Sequence, residues 1–213
     1  CWLPPELLPA RTRRSRCAPA PRSRGSSDVL MKDIKKQIFE KSKELFLIKD
    51  YDDITVDEIC KACDISKPTF YYHLNSKDDI IIHIYDTLVL DMEDLLLQLA
   101  KSDDEENKIK AIFKFLMERM MELGPDLNKQ LFIISLKNNL DTFKLRNEIK
   151  ELGIHVIKQG QSKGIFKNQS CPESLFESLA YMFTGYEFMW CNRNGDFPWE
   201  EKFFRDLENV LII

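Results

Sequence analysis

Residues 46–77 read FLIKDYDDITVDEICKACDISKPTFYYHLNSK, and the spacing inside this stretch decides the architecture. Thr55-Val56-Asp57-Glu58 has the T-x-x-E pattern of a capping box, in which hydroxyl and carboxylate satisfy the orphan N–H groups of a helix start. It predicts a short helix from Val56 to about Cys63, with Val56, Ile59 and Cys60 inward. Asp64 supplies a turn. Ser66 then caps a second helix, Lys67 to about Leu74, whose Pro68 is tolerated because it falls in the first turn. Phe70 and Leu74 are four residues apart and share the buried face. Two short capped helices joined by a brief turn are a helix-turn-helix, whose second member lies in the DNA major groove. The residues left off the core face of that helix are Lys67, Thr69, Tyr71, Tyr72 and His73. All of these can bind phosphate oxygens, and some can reach base edges.

Working outward, 3.6-residue spacing of apolar residues recurs and no period-2 strand pattern persists. A helix is expected over Lys32–Ile48, with Ile34, Ile38, Leu45 and Phe46 on one stripe. After Ser76-Lys77-Asp78-Asp79 a long fourth helix is expected through Ile80, Ile84, Leu88, Met92 and Leu95. Five more are read as Asn107–Leu123, Asp126–Leu140, Thr142–Ser162, Glu173–Cys191 and Trp199–Leu211. The breaks are Gly124-Pro125, Gly164, Cys171-Pro172 and Asn194-Gly195 ahead of Pro198. The expected fold is all-α with about nine helices. A leader occupies 1–30, a three-helix reader domain 31–77, and a helical domain 78–213.

The stretch quoted above resembles the DNA-binding domain of the TetR family of bacterial transcription regulators. The resemblance covers about residues 32–80 and rests on Phe46, Tyr51, the Thr55 cap, Ile59, Ser66, the run Phe70-Tyr71-Tyr72-His73-Leu74, and Ser76-Lys77. It implies that Lys67, Thr69, Tyr71, Tyr72 and His73 face DNA. It also implies that Thr55 and Lys77 touch phosphates at helix starts, where N–H groups favour anions. On that reading Lys77 can be replaced with little loss of stability. The stretch departs from the family at Asp50 and Asp64, where glycine is usual, and at Pro68, where a small residue is frequent.

Composition narrows the function further. Of 213 residues, 44% are hydrophobic and 31% charged, which excludes a disordered or low-complexity chain. No apolar run reaches the ~18–20 residues that span a bilayer. Six cysteines are too few and too scattered for a disulfide scaffold, so a protein of the cytoplasm is expected. Residues 1–30 hold six Arg, no Lys and five of the nine Pro, whereas the remainder is Lys- and acid-rich. That switch reads as an extraneous, disordered leader; the competing reading is a basic arm on DNA phosphates. Residues 31–78 hold 9 Lys against 10 acids, so affinity must come from placement of a few groups rather than bulk charge.

Cys60-x-x-Cys63 lacks a second ligand pair at zinc spacing and reads first as two small buried residues. His83 and His155 have no partner at ligand spacing. No nucleophile triad, phosphate loop or carboxylate pair rises above chance, so no enzyme, metal or cofactor is expected. Phe113, Met117, Met120 and Met121, followed by Phe132 and Leu136, are read as the lining of an adaptable apolar pocket for a small-molecule effector. Apolar residues surround most of the 173–191 helix. With the last helix they predict a homodimer interface through Phe176, Phe183, Tyr186, Trp190, Phe203, Leu207 and Val210, with Gly185 permitting close approach. The functional expectation is a repressor released from a palindromic double-stranded DNA operator by a small molecule, with no membrane contact. The alternatives are an activator, or a protein-interaction adaptor that keeps the helix-turn-helix as a scaffold.

Overall fold

A computed structural model describes residues 24–88, 92–140 and 147–213. The expected leader up to residue 23, the middle of the expected fourth helix at 89–91 and the expected helix start at Thr142 lie outside the described residues. Nine α-helices and no strand are present among the described residues. They are α1 (Arg24–Phe46), α2 (Val56–Ala62), α3 (Lys67–His73), α4 (Asp78–Leu88), α5 (Glu93–Lys101), α6 (Glu105–Asn138), α7 (Asn147–Ser162), α8 (Pro172–Asn192) and α9 (Trp199–Leu211). A single 3-10 turn, Tyr51–Asp53, joins α1 to α2. The all-α expectation holds, with three differences in element bounds. The expected helices Asn107–Leu123 and Asp126–Leu140 run as one kinked helix, α6. α1 begins at Arg24, inside the segment read as a leader, and the expected long fourth helix is two helices, α4 and α5, with Met92 at the start of α5.

The local chemistry follows the sequence closely in the reader. The Thr55 hydroxyl accepts from the Glu58 N–H at 3.3 Å and the Glu58 carboxylate accepts from the Thr55 N–H at 2.9 Å, closing the capping box. Asp64 adopts φ 52°, so it takes the left-handed turn conformation that glycine would otherwise supply. Asp50, by contrast, is extended at φ −58° and ψ 143°, and needs no glycine. In α6 the Gly124-Pro125 break is real: Gly124 sits at φ 76° and ψ 166°, and the chain resumes as helix at once. The Asn128 amide donates to the carbonyls of Met120 and Gly124, at 2.7 Å each, and so caps the end that the kink exposes.

Two cores result, and α6 contributes to both. The body core is built on Phe113, whose ring centre lies 5.8 Å from Phe176 and from Phe183 and 4.9 Å from Phe203. The reader core takes Ile38, Phe46, Tyr51, Ile59, Phe70 and Ile80, and also Leu123, Leu127, Leu131 and Ile134 of α6. α7 comes so close to α8 that a Cβ on Gly153 would stand 2.0 Å from the Phe176 ring.

This packing places the residues of two expectations. Phe113, Met117 and Met120 are fully buried among core side chains, whereas Met121 and Leu136 point to solvent and Phe132 is half-buried, so the six do not share one surface. Phe176, Phe183, Trp190, Phe203 and Leu207 are buried by the chain's own α6–α9 layer, and Tyr186 and Val210 are half-buried against it. The apolar breadth of α8 therefore serves the body core; its outer face carries Tyr181, Gly185 and Phe188 instead.

One buried polar group stands apart. Glu187 of α8 is 2% exposed, and its Oε1 has no hydrogen-bond partner. Burial pushes its carboxyl up to about 8, and it helps to push the nearby Cys191 thiol, itself raised chiefly by burial, up to about 12. The folded chain thus keeps a proton that the unfolded chain releases above its ordinary value of 4.5. Stability contributed by this site falls as pH rises from 4.5 to about 8, and is level above that. Glu187→Gln removes the penalty: we expect a gain of roughly 2–4 kcal/mol at pH 8 that shrinks towards zero at pH 5, read from urea midpoints at both pH values.

Candidate nucleic-acid interface

The Ser66 hydroxyl starts α3 by accepting from the Thr69 N–H at 3.3 Å, and it lies 2.8 Å from the Thr69 hydroxyl. Phe70 and Leu74 anchor the helix inward at 0% and 5% exposure. Its outer side is Lys67, Pro68, Tyr71 and Tyr72, with Thr69 and His73 half-buried at the margins. Tyr71 is 54% and Tyr72 71% exposed, unusual for large aromatics with core available beside them. The Tyr71 ring stands edge-on to Phe70 at 5.4 Å and the Tyr72 ring edge-on to His73 at 5.2 Å, so both rings are oriented by neighbours. Lys67 reaches across to Asp57 of α2 at 2.9 Å, and that hydrogen bond and charge raise its pKa. Thr55, exposed at the start of α2, has its hydroxyl engaged by Glu58. The Glu58 carboxyl is pushed down to about 2, first by the Thr55 N–H and then by Lys49.

Lys77 is placed differently from the expectation. Its ammonium donates to the carbonyls of Tyr51 at 2.6 Å and Ile54 at 2.7 Å, and lies 3.8 Å from the Tyr51 ring centre. It is a clamp on the turn ahead of α2, and burial pulls its pKa below the usual lysine range. Tyr51 is the residue whose role went unread: its hydroxyl donates to Asp78 at 2.5 Å and its N–H to Asp126 of α6 at 3.0 Å. The signal present was the pairing of an aromatic with a lysine 26 positions later, which has no local period. Cys60 and Cys63 are buried and burial pushes both thiols up, the behaviour of small core residues.

Residues 38–84 match the model of the bacterial regulatory proteins of the tetR family. Residues 38–84 form a TetR-family helix-turn-helix segment. Proteins with similar stretches include the HTH-type transcriptional regulator EthR of Mycolicibacterium smegmatis, 32% identical over 69 residues that make up 32% of each chain. The negative transcriptional regulator IcaR of the biofilm operon icaADBC of Staphylococcus epidermidis is 28% identical over 56% of this chain and 63% of its own length. The matched part thus spans between a third and just under two thirds of those relatives. Among solved structures, a TetR transcription regulator from Haloarcula marismortui superposes with TM-score 0.65 at 18% identity, over 85% of this chain and 97% of that one. Thermus thermophilus FadR, a TetR-family transcriptional repressor in complex with lauroyl-CoA, gives 0.63 at 20% identity, over 83% and 93%. These structures share the fold beyond the TetR-family domain, through the body helices. Among the described residues no helix is long and apolar enough to cross a membrane.

The clamp generates a stability prediction. Lys77→Ala leaves two inward carbonyls without their charged donor and removes the cation from the Tyr51 ring. We expect a loss of about 2 kcal/mol, visible as a lower unfolding temperature and urea midpoint. A melt that matched the parent would return Lys77 to a purely surface role.

Proposed function

We propose that the protein is a ligand-responsive DNA-binding transcription regulator, a repressor that leaves a palindromic operator when a small molecule binds, acting in the cytoplasm as a homodimer. The observation that carries this is α3 itself: two exposed, oriented tyrosines and Lys67 stand on the outer side of a capped seven-residue helix whose inner side is fully used by the core. The TetR-family match and the repressor names of its relatives support the direction of control. Effector response is supported by FadR, bound to lauroyl-CoA in its structure. Pairing of two chains is supported by the outer face of α8, where Tyr181 is 70% and Phe188 49% exposed beside Gly185. That face continues through the Phe188–Phe132 edge contact at 5.7 Å towards Ile133 and Leu136 of α6, at 49% and 76% exposure. Exposed apolar residues in one patch mark association surfaces.

Selection of duplex DNA from a random pool tests the reading, with the recovered site then titrated at several salt concentrations. Recovery of a two-fold symmetric site is expected; no enrichment favours the adaptor. On that site Lys67→Ala reduces the salt slope by roughly one unit, as loss of one phosphate-neutralising cation does. Tyr72→Phe weakens binding by about 1 kcal/mol while the thermal midpoint stays within error of the parent.

A further inference from the structure

A cavity of about 600 Å³ opens where α1, α4 and α6 meet. That lies within the ~300–1,000 Å³ of small-molecule sites. Its floor is apolar: Phe39 is 7% and Ile84 4% exposed, and the His83 ring lies stacked on Phe39 with centres 3.5 Å apart. Its rim is cationic. Lys35, Lys36 and Lys43 come from α1 and Arg119 from α6, against two acids, Glu40 and Glu122. Both acids are engaged, Glu40 with Lys36 at 3.6 Å and Glu122 with Arg119 at 2.8 Å. Lys35 and Lys43 make no ion pair among the described residues, and Lys35 lies 5.7 Å above the Phe39 ring. The imidazole registers this surplus: burial first, and then Lys35, hold the His83 pKa below its ordinary value, against an opposing pull from Asp86.

We propose that this cavity binds an organic anion with a planar apolar body, an aromatic carboxylic acid being the simplest case. The ring takes the floor beside the Phe39–His83 stack, and the carboxylate takes Lys35 and Lys43. Charge selects this occupant over the chain's own first residues, which carry arginines and would be repelled. A floor of Phe39 and Ile84, set between three helices, gives a DNA backbone nothing to contact. The site is separate from the Phe113 region and uses none of the side chains expected to line a pocket there. Because α1 belongs to the reader and Arg119 to the body, an occupant touches both. Any effect on DNA rests on the regulator reading, whereas binding itself does not.

Calorimetric titration of the full chain with three probes of one ring system tests the proposal: 1-naphthaleneacetate, 2-(1-naphthyl)ethanol and 2-(1-naphthyl)ethylammonium. The acid binds saturably, one per chain, at least tenfold more tightly than the alcohol, with the ammonium weakest. Lys35→Ala/Lys43→Ala alters two lysines outside the core; it lowers the acid's affinity at least tenfold and leaves the alcohol's unchanged, with an unaltered melt. Absence of saturable acid binding at millimolar concentration, equal affinity for acid and alcohol, or an unchanged acid affinity in the double variant each overturns it. DNA titration run separately on the same samples reports on the regulator reading alone.

Discussion

The ammonium of Lys77 donates to two carbonyls of the Tyr51–Ile54 turn and rests on the Tyr51 ring, while Tyr51 sends its hydroxyl to Asp78 beside that lysine. This closed exchange joins the start of α4 to the segment that aims α2 and, through it, α3. A third bond leaves the same residue for the body, since the Tyr51 N–H donates to Asp126 just past the α6 kink. Burial, and then Asp78, hold the Tyr51 phenol well above its ordinary range, so it remains a donor at every physiological pH. A lysine at this position serves as a hub because an ammonium offers three donors and no acceptor, which suits a cluster of carbonyl oxygens. The outward angle of α3 depends on this node before it depends on anything within the helix itself.

The reader was legible because its signals are local. Thr55 with Glu58, and Ser66 ahead of Pro68, act over three residues, and the backbone obeys them whatever the rest of the chain does. Gly124-Pro125 was legible for the same reason. The break at Met92 was not, because Leu88, Met92 and Leu95 keep helical spacing across it. Periodicity reports which face is apolar, and it is silent on whether the backbone between two apolar residues stays helical.

The candidate sites divide in the same manner. Tyr71 and Tyr72 were separated from Phe70 and Leu74 by helix geometry alone, and the structure keeps that separation. Phe113, Met117 and Met120 could line a cavity or fill a core, and composition cannot distinguish the two; the rings of α8 and α9 arriving on Phe113 fill it. The breadth of apolar surface on α8 likewise has two solutions, a partner chain or enclosure by α6, α7 and α9. Enclosure accounts for Phe176, Phe183 and Trp190, and leaves only the strip through Tyr181 and Phe188 for anything else. The cations of α1 gave no signal, since their cavity exists only once α6 lies beside them.

The helix α6 links these observations. Up to Met120 its buried residues belong to the body core, and from Leu123 onward those that complete the reader are Leu123, Leu127, Leu131 and Ile134. Gly124 lies at the exchange, the one residue of the helix with non-helical angles. Tyr51 is tied to Asp126 immediately after it, and Arg119 and Glu122 face the α1–α4 cavity immediately before it. Close-packed interiors transmit displacement rather than absorb it. A change in the angle between the halves of α6 must therefore either open the reader core at Leu127 and Leu131 or carry the whole reader with it. The second course preserves the buried contacts and the Tyr51 node, and it moves α3 as a rigid unit. Two sites bear on one hinge, and that shared mechanical element is what any coupling between ligand and DNA would have to use.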